Sequence, residues 1–484
     1  MEKEKISNAD LNKLGIEDLD LIVFFSRVAN GLLKHQVMDR MEILAHLEAL
    51  IFDPSPYSAQ KGGKFKNLAD KAIELRKEGK FDRPTEKIPK LKKDSANYPV
   101  YGLENIEAGA LEQMKTAMSL PITVAGALMP DAHQGYGLPI GGVLATTADT
   151  IIPYAVGVDI ACRMCLSIFE MPADTIDQKN DYLKNLLIKN TVFGMGGETK
   201  NHFDTSLFDR REWKATQQIK QLRDKAYKQL GTSGTGNHFV EWGELSVGDG
   251  ALEGIPAGSY LALLSHSGSR GFGGNIANYY SKLAMQKTRL PHEAKHLAWL
   301  DINSEEGEEY WIAMNLAGDY ASANHHEIHN KIARDMDLQP LLRIENHHNF
   351  AWKEQLDDGT EVMVHRKGAT PAGKGVLGII PGSMSTPGFI VRGKGDPASI
   401  NSASHGAGRV MSRNVAFKTL KRDLVMAELL DKKITLVGSD LDEAPMVYKD
   451  IHTVMAAQQD LVEVLAKFTP RIVRMADPKE RPED

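Results

Sequence analysis

An acid and a thiol three residues apart inside an apolar segment constrain this chain more than any other feature of its sequence. The segment runs from Ile152 to Met164 and contains Asp159 and Cys162. Burying a carboxylate beside a thiol is unfavourable unless a partner compensates, and a divalent cation is a common partner. The apolar pattern predicts a strand, and we expect the rest of the chain to bring further ligands to it.

Histidines flanked by small residues are the natural candidates for those ligands. Five segments have this character: Pro130–Gly135, Gly231–Glu241, Ser265–Gly274, Glu345–Asn349 and Ser402–Arg409. Glycine beside a histidine lets backbone N–H groups point into a concavity, as in loops that hold phosphates. Such loops favour a site for a phosphorylated substrate.

Together these segments supply enough oxygen, sulfur and nitrogen donors for two cations that share a thiolate. The donors are Asp159, Cys162, His238, His266 and either His347 or His348. Two metals about 4 Å apart stabilise the attacking and leaving oxygens of a phosphoryl displacement. Further phosphate contacts are predicted from Arg270, Arg366, Lys367 and Arg409.

A rival cluster lies at His325, His326 and His329. The spacing of three and four residues on a helix places two imidazoles on one face, where they could share a metal. The segment is polar and has no glycine loops, so the simpler prediction is a solvent-exposed or hydrogen-bonded helix face.

Cysteine content and charge exclude several classes of protein. Cys162 and Cys165 are the only cysteines, which excludes a disulfide framework and a four-cysteine zinc module. The formal charge of −6 argues against nonspecific coating of nucleic acid. No signal peptide is evident, and no apolar run approaches the roughly 20 residues of a membrane span, so we expect a cytoplasmic protein without a membrane partner.

The first part of the chain has a helical pattern. Apolar residues recur at helical spacing from Glu17 to Asp53, with Asp39 as a predicted N-cap. A lysine- and arginine-rich run follows from Lys61 to Lys93, for which a solvated helix face with a linker is the default and an RNA-facing strip the alternative. We therefore predict a helical extension with a basic linker over residues 1–97 and a catalytic domain over residues 98–484.

The larger part alternates short strands, glycine-rich turns and helices. Strands are predicted at 139–147, 260–264, 375–380 and 433–437, and helices at 174–190, 210–230, 307–336 and 450–468. The mixture is too irregular for a Rossmann fold or a barrel and predicts an α+β fold. No GxGxxG follows a predicted strand and opens a helix, and no Walker A sequence is present.

Read together, the segments resemble the RtcB-type RNA ligase family from about Ala108 to Met475. The motifs that carry the resemblance occur in the family's order: MPDAHQGYGLPIGG, VGVDIACRM, GTGNHFVEW, SHSGSRG, HHNFAW, HRKGATPA, IPGSMSTPG, SHGAGRVMSR and LDEAPMVYKD. The resemblance implies a single large catalytic domain. It also implies an enzyme that seals RNA ends with GTP and two Mn²⁺ ions.

The implied reaction joins an RNA 3'-phosphate or 2',3'-cyclic phosphate end to a 5'-hydroxyl end through a histidine–GMP intermediate. The resemblance makes His405 the nucleophile and Asp131 a supporting catalytic acid. A neutral imidazole attacks an α-phosphate at pH 7 and gives a labile phosphoramidate. The expected partners are RNA with these ends and an activating protein.

The resemblance also assigns ligands. It implies Cys162, His266 and His348 for one metal and Asp159, Cys162 and His238 for the other, with His348 chosen because the family's ligand directly precedes the asparagine. A separate set is implied for the nucleotide: Asn237, Glu241, Ser383, Tyr448 and His405.

Three departures from the family pattern concern the base pocket and the metals. The family's final lysine, which contacts guanine, has no equivalent in Val473–Pro478. Ser385 and Gly388 replace a small residue and a base-contacting serine, so the preference for GTP is expected to be altered. Arg163 replaces a glycine beside the cysteine ligand and is expected near the metals, where it would bind a phosphate or crowd the site.

Two alternative functions follow from the altered pocket. The first is a metal-dependent cyclic phosphodiesterase that processes RNA ends without joining them. The second is a non-catalytic RNA-binding repair accessory, which the complete ligand set argues against.

Overall fold

The computed structural model describes residues 5–14, 16, 19–35, 37–78 and 89–478. It divides into two compact units, Met1–Lys87 and Ile88–Asp484. The predicted boundary between residues 97 and 98 stays a prediction. In the described part, no helix is both long enough and apolar enough to cross a membrane.

The first unit is helical. Its helices are α1 (Asn8–Lys13), α2 (Leu19–Lys34), α3 (Arg40–Phe52), α4 (Ser55–Ala59) and α5 (Lys66–Lys77). They bury an apolar core that includes Phe25, Leu47 and Leu68. The predicted N-cap is confirmed: the Asp39 side chain accepts from the Glu42 backbone N–H, and the Glu42 side chain reciprocates in a capping box. Within the predicted basic run, residues 79–88 lie outside the described part.

The second unit mixes helices and strands and confirms the α+β prediction. Its helices are α6 (Ala108–Met118), α7 (Pro153–Val156), α8 (Thr175–Gln178), α9 (Asn180–Asn190), α10 (Gln217–Gln229), α11 (Arg270–Lys287), α12 (Glu305–Asp335), α13 (Arg413–Thr419), α14 (Arg422–Asp431) and α15 (Ile451–Ala456). Short 3-10 turns connect several of them.

Sixteen strands occur in the described part of this unit. They are β1 (Thr123–His133), β2 (Ile140–Thr147), β3 (Thr150–Ile151), β4 (Arg163–Pro172), β5 (Phe239–Val247), β6 (Gly258–Ser267), β7 (Leu300–Asp301), β8 (Leu342–His347), β9 (Phe350–Gln355), β10 (Glu361–Lys367), β11 (Ala369–Pro371), β12 (Leu377–Ile380), β13 (Gly388–Gly393), β14 (Ser402–Ser404), β15 (Thr435–Val437) and β16 (Val462–Met475). The four predicted strands correspond to β2, β6, β12 and β15.

Two sheets organise the unit. The larger has eight strands in the order β12-β13-β16-β5-β6-β4-β8, with β15 beside β16, and the smaller has four in the order β1-β2-β10-β9. Successive residues of a strand point to opposite faces. The face of β4 and β6 that packs on α12 is therefore lined by a different set of side chains from the opposite face.

Two sequence predictions were wrong. The predicted helix over 450–468 ends with α15, and β16 begins at Val462. That strand pairs with β13 on one side and β5 on the other, so the sheet overrides the local helical spacing. The predicted strand at Ile152–Met164 is instead α7, a turn and the first two residues of β4. Pro153 at the first helical position favours that turn of helix.

The remaining helix predictions were close. The segment 174–190 forms α8 and α9, and 210–230 forms a 3-10 turn followed by α10. The segment 307–336 forms α12, which begins two residues earlier, at Glu305, behind the N-cap Ser304.

Candidate active site

Two groups of potential metal ligands meet at one end of four neighbouring strands of the large sheet, β5, β6, β4 and β8. Asp159 and Cys162 come from the turn before β4, His238 immediately precedes β5, His266 lies on β6, and His348 lies in the turn between β8 and β9. One group is Cys162, His266 and His348, and the other is Asp159, Cys162 and His238; within each, the donor atoms lie within 4.8 Å of one another. The structure thus brings together all five residues named from the sequence.

The shortest distances centre on Cys162. Its Sγ lies 3.0 Å from His266 Nε2 and 3.5 Å from His238 Nε2. His238 Nε2 lies 3.0 Å from Asp159 Oδ2, and His266 Nε2 lies 3.5 Å from His348 Nε2. Cys162 therefore stands between the two groups, as a shared ligand would.

Backbone carbonyls fix the orientation of two of the imidazoles. His238 Nδ1 donates to the Ser233 carbonyl oxygen at 2.7 Å, and His266 Nδ1 donates to the Asn237 carbonyl oxygen at 3.1 Å. In a neutral ring with its proton on Nδ1, Nε2 carries a lone pair. The Nε2 lone pair of His266 therefore faces the Cys162 sulfur, and that of His238 faces both this sulfur and Asp159 Oδ2. A hydrogen bond at one ring nitrogen that leaves the other free is the arrangement that metal-binding histidines adopt.

Burial keeps two of the imidazoles neutral. It lowers the pKa of His266 to about 3 and holds the pKa of His348 well below its usual value, with neighbouring histidines adding to the effect. Neutral imidazole nitrogens, a thiol and a carboxylate facing one another form a donor set that fits a divalent cation.

A cavity of about 800 Å³ opens on one side of these ligands. Its lining includes Asp159, Cys162, His266 and His348, and it also contains each residue assigned to the nucleotide: Asn237, Glu241, Ser383, Tyr448 and His405. The volume lies in the range of small-molecule sites. Its lining also includes the apolar residues Met384, Met411, Val473 and Met475.

His405 and Asp131 are directly hydrogen-bonded. His405 Nδ1 donates to Asp131 Oδ2 at 2.6 Å, and the His405 backbone N–H donates to the same oxygen at 3.2 Å. Asp131 is fully buried, whereas the His405 side chain keeps 16% exposure in the cavity. The His405 ring lies 4.7 Å from that of His348, between centroids.

Glu241 and Tyr448 both line the cavity. Burial alone raises the pKa of Glu241 well above its usual value. The Tyr448 hydroxyl donates to Glu443, and the Arg409 guanidinium lies 5.5 Å from the centre of the Tyr448 ring. Together they give the cavity one polar and one aromatic contact surface.

Only some of the predicted phosphate contacts face the cavity. Lys367 and Arg409 line it. Arg366 is instead buried in a two-point ion pair with Glu354, at 2.6 and 3.0 Å, and Arg270 donates to the Thr232 hydroxyl at 2.9 Å. The last two cations therefore hold the protein together rather than facing a substrate.

Arg163 does not approach the ligands as expected. It starts β4, so its side chain points to the face opposite that of Cys162, where it donates to Glu345 at 2.9 Å. His326 lies 3.2 Å from the other oxygen of Glu345. Arg163 is therefore part of a buried ion pair behind the cavity.

The other departures from the family pattern do affect the cavity wall or its support. Gly388 lines the cavity, whereas Ser385 does not, and its hydroxyl donates to Glu428 at 2.7 Å. Arg474, in the stretch without the family's lysine, points away and donates to Thr191 at 3.0 Å. No lysine of β16 lines the cavity.

The rival histidine cluster is not solvent-exposed. His325 and His329 are fully buried on the inner face of α12, and their ring nitrogens lie within 4.8 Å of Cys165 Sγ. Burial raises the pKa of Cys165 to about 12. His326 points outward, with 42% of its side chain exposed.

Asn349 and Lys449 are supporting residues that sequence reasoning missed. The Asn349 amide donates to the Asp159 carbonyl oxygen at 3.2 Å and accepts from the Gly368 backbone N–H at 2.7 Å. Its φ is positive, at 58°, a conformation in which asparagine is enriched. Lys449 donates to the carbonyl oxygens of Pro130 and Ala132, on either side of Asp131, at 3.0 and 2.7 Å.

Comparison with known proteins gives consistent matches. The family described as tRNA-splicing ligase RtcB matches residues 113–476. RNA-splicing ligase RtcB of Escherichia coli (strain K12) is 34% identical over 390 residues, covering 74% of this chain and 92% of the relative. The tRNA-splicing ligase RtcB of Thermococcus kodakarensis is 30% identical over 438 residues, covering 74% and 89%. That of Methanococcus maripaludis is 32% identical over 423 residues, covering 72% and 88%.

Proposed function

The chain belongs to the tRNA-splicing ligase RtcB family, and on that premise we propose that it is a cytoplasmic, GTP-dependent RNA ligase. It joins RNA 3'-phosphate or 2',3'-cyclic phosphate ends to 5'-hydroxyl ends. The single observation that carries the proposal is the hydrogen bond between Asp131 and His405, whose imidazole lines the cavity 4.7 Å from the ring of the ligand candidate His348.

His405 is the proposed nucleophile. Its Nδ1–H is held by Asp131, so the Nε2 lone pair is available on the other side of the ring. Attack on the α-phosphate of GTP forms a P–N bond and releases pyrophosphate. The positive charge that develops on the imidazole is stabilised by the carboxylate, whose second contact with the His405 backbone keeps the pair aligned.

Transfer to RNA completes the reaction. An oxygen of the RNA 3'-phosphate displaces His405 from the nucleotide, which breaks the P–N bond and activates the RNA end. The 5'-hydroxyl of the second RNA end then attacks the 3'-phosphate and GMP leaves. A 2',3'-cyclic phosphate is first opened by water at the same site.

Asp159, Cys162, His238, His266 and His348 would hold two Mn²⁺ ions. When bound, the ions supply charge neutralisation and polarise phosphate oxygens. Affinity order for this donor set favours zinc over manganese. The choice of manganese therefore rests on the family.

The lining of the cavity offers contacts for the base of a nucleotide. Glu241 would accept from donor groups of a base, and the apolar lining residues with Tyr448 would contact its ring faces. Guanine presents N–H donors on the edge that a carboxylate would contact. The absence of a lysine of β16 from the lining leaves GTP preferred with less discrimination than in relatives that have one.

The test is incubation with Mn²⁺ and each of the four α-³²P-labelled nucleoside triphosphates, followed by acid treatment. We expect an acid-labile label on the wild type, strongest with GTP, and no label on His405→Ala. Label that persists in His405→Ala would contradict the mechanism. Opening of a cyclic phosphate by His405→Ala without any ligation by the wild type would favour the phosphodiesterase alternative.

Asp131→Asn tests the supporting role. An amide keeps the size of the side chain but carries no negative charge. In one of its two orientations it also presents an N–H donor to His405 Nδ1. Label formation should slow by about a hundredfold or more, as measured by rapid-quench kinetics. Label formation within twofold of the wild type would exclude Asp131 from the mechanism.

A further inference from the structure

A chain of buried serine and histidine side chains runs between α12 and the large sheet, behind the metal ligands. Its members are Ser167 on β4, Ser265 on β6, and His325 and His329 one turn apart on α12. All four are fully buried. We propose that they form a one-directional hydrogen-bond relay that positions the end of β6, and with it His266 and the sulfur of Cys162.

The direction of the relay follows from one carbonyl. His325 Nε2 lies 3.1 Å from the Ser267 carbonyl oxygen, which can only accept, so the proton of His325 is on Nε2. Its Nδ1 must then accept, and it lies 2.6 Å from Ser265 Oγ. The single hydroxyl proton of Ser265 is thereby committed to His325.

The same logic fixes the second histidine. Because Ser265 Oγ donates to His325, it must accept from His329 Nε2, which lies 2.7 Å away. His329 Nδ1 then accepts from the Ser167 hydroxyl at 2.8 Å, and Ser167 accepts from Arg343 Nε at 3.3 Å. Every donor has one acceptor, and both histidines are neutral with the proton on Nε2.

The relay ends at the metal centre. The Ser267 carbonyl oxygen that accepts from His325 lies 3.6 Å from Cys162 Sγ. Ser265 and Ser267 flank His266, so two of the relay contacts hold the backbone on both sides of that residue. Loss of a hydrogen bond in the relay would therefore displace the Ser267 carbonyl oxygen beside the Cys162 sulfur, and with it the imidazole of His266.

The bonding pattern also argues against a third metal at Cys165, His325 and His329. All four ring nitrogens of the two histidines lie 2.6 to 3.1 Å from a serine or carbonyl oxygen. A metal ion would have to break at least two of these hydrogen bonds. Burial, which raises the pKa of Cys165 to about 12, keeps that thiol protonated.

Tautomers can be measured directly. Full-length protein labelled with ¹⁵N-histidine and loaded with diamagnetic Zn²⁺ should show His325 and His329 with a protonated Nε2 and an unprotonated Nδ1 in long-range ¹H–¹⁵N spectra. His325→Gln and His329→Gln assign the signals. A proton on Nδ1 of either ring would overturn the relay.

Metal affinity tests the positioning role, which rests on the proposed ligands. Ser265→Ala should weaken Mn²⁺ binding about tenfold or more, the usual effect of an outer-shell contact, and Ser167→Ala, one imidazole further away, should weaken it less. Ser281→Ala, a buried serine of α11 outside the relay, is the matched control. Wild-type affinity in Ser265→Ala would overturn the positioning role.

The two measurements separate the relay from the proposed function. If the wild type labels His405 but Ser265→Ala binds Mn²⁺ normally, only the relay fails. If the wild type forms no label while the tautomers and metal affinities follow the relay, only the proposed function fails.

Discussion

Two histidine clusters lie on opposite faces of β4 and β6, and they differ in what their ring nitrogens contact. On the cavity face, Nε2 atoms of His238 and His266 point at the sulfur of Cys162. On the face covered by α12, each nitrogen of His325 and His329 meets a serine or a carbonyl. Both clusters contain a buried cysteine, and in both the donor atoms lie within 4.8 Å.

The difference shows that residue types alone do not define a metal site. A neutral imidazole whose lone pair faces other acceptors is stabilised by a cation, whereas one whose lone pair already accepts a hydrogen bond is not. Side chains that are adjacent in sequence can point in opposite directions, one into the cavity and one into the protein behind it. Cys162 faces the cavity and Arg163 faces α12, just as Lys367 faces the cavity and Arg366 pairs with Glu354.

The largest predicted effect separates the two cysteines. Cys162→Ala removes the shared ligand and should weaken Mn²⁺ binding by more than about a hundredfold, beyond the range of outer-shell changes, with loss of His405 labelling. Cys165→Ala should bind Mn²⁺ within about twofold of the wild type and lose about 1 kcal/mol of unfolding free energy. Isothermal titration and thermal unfolding measure both. Equal losses of metal in the two variants would erase the distinction between the faces.

A pH effect of intermediate size is expected from Lys367. Burial lowers the pKa of this lysine to about 7, and its Nζ donates to the Tyr136 carbonyl oxygen at 2.5 Å. Its charge is lost as the pH rises through 7, while a bound phosphate favours the charged form. Affinity for a non-hydrolysable GTP analogue should therefore weaken above pH 7, by at most about tenfold per pH unit for one proton.

Lys367→Arg is the control for that prediction. Arginine stays charged over this range, so its affinity curve should be flat where the wild-type curve falls. Fluorescence titrations of both proteins at several pH values above 7 give the comparison. Parallel curves would show that Lys367 does not contact the phosphates.

The smallest effect on activity is predicted for Arg163. Arg163→Met keeps the aliphatic stem but removes the guanidinium that pairs with Glu345, and we expect about 2 kcal/mol of destabilisation because that pair is largely buried. Labelling of His405 should stay within twofold. The exposed Arg392–Glu463 pair offers a control, because Arg392→Met should cost under about 1 kcal/mol. A labelling defect in Arg163→Met above tenfold would bring Arg163 back to the reaction.

Most of the site could be predicted because its chemistry lies in short motifs. Asp159 and Cys162 are close in sequence, and glycines mark the histidine segments. What spacing could not give is the direction of each side chain. Arg163 was expected near the metals because it adjoins Cys162, but a strand that begins at Arg163 turns it to the other face.

The fold was less accessible where long-range pairing decides the local structure. The helical spacing after Asp450 continues into Val462, yet pairing with β5 and β13 makes that part a strand. The burial of His325 and His329 was missed for a related reason. Polar residues on a helix indicate a solvent-exposed face unless partners lie elsewhere in the chain, and here those partners are serines of β4 and β6.

The pairing of β16 with β5 has a consequence for how the protein is made. The two strands are separated by more than 200 residues, from Val247 to Val462. At synthesis rates of about 5–20 residues per second, the ribosome needs roughly 10–40 s to deliver the second strand after the first. During that interval the outer edge of β5 has no partner from β16, and such an edge is a template for aggregation. Lower growth temperatures, or a chaperone that covers this edge, should therefore raise the yield of folded enzyme more than substitutions near the metal ligands.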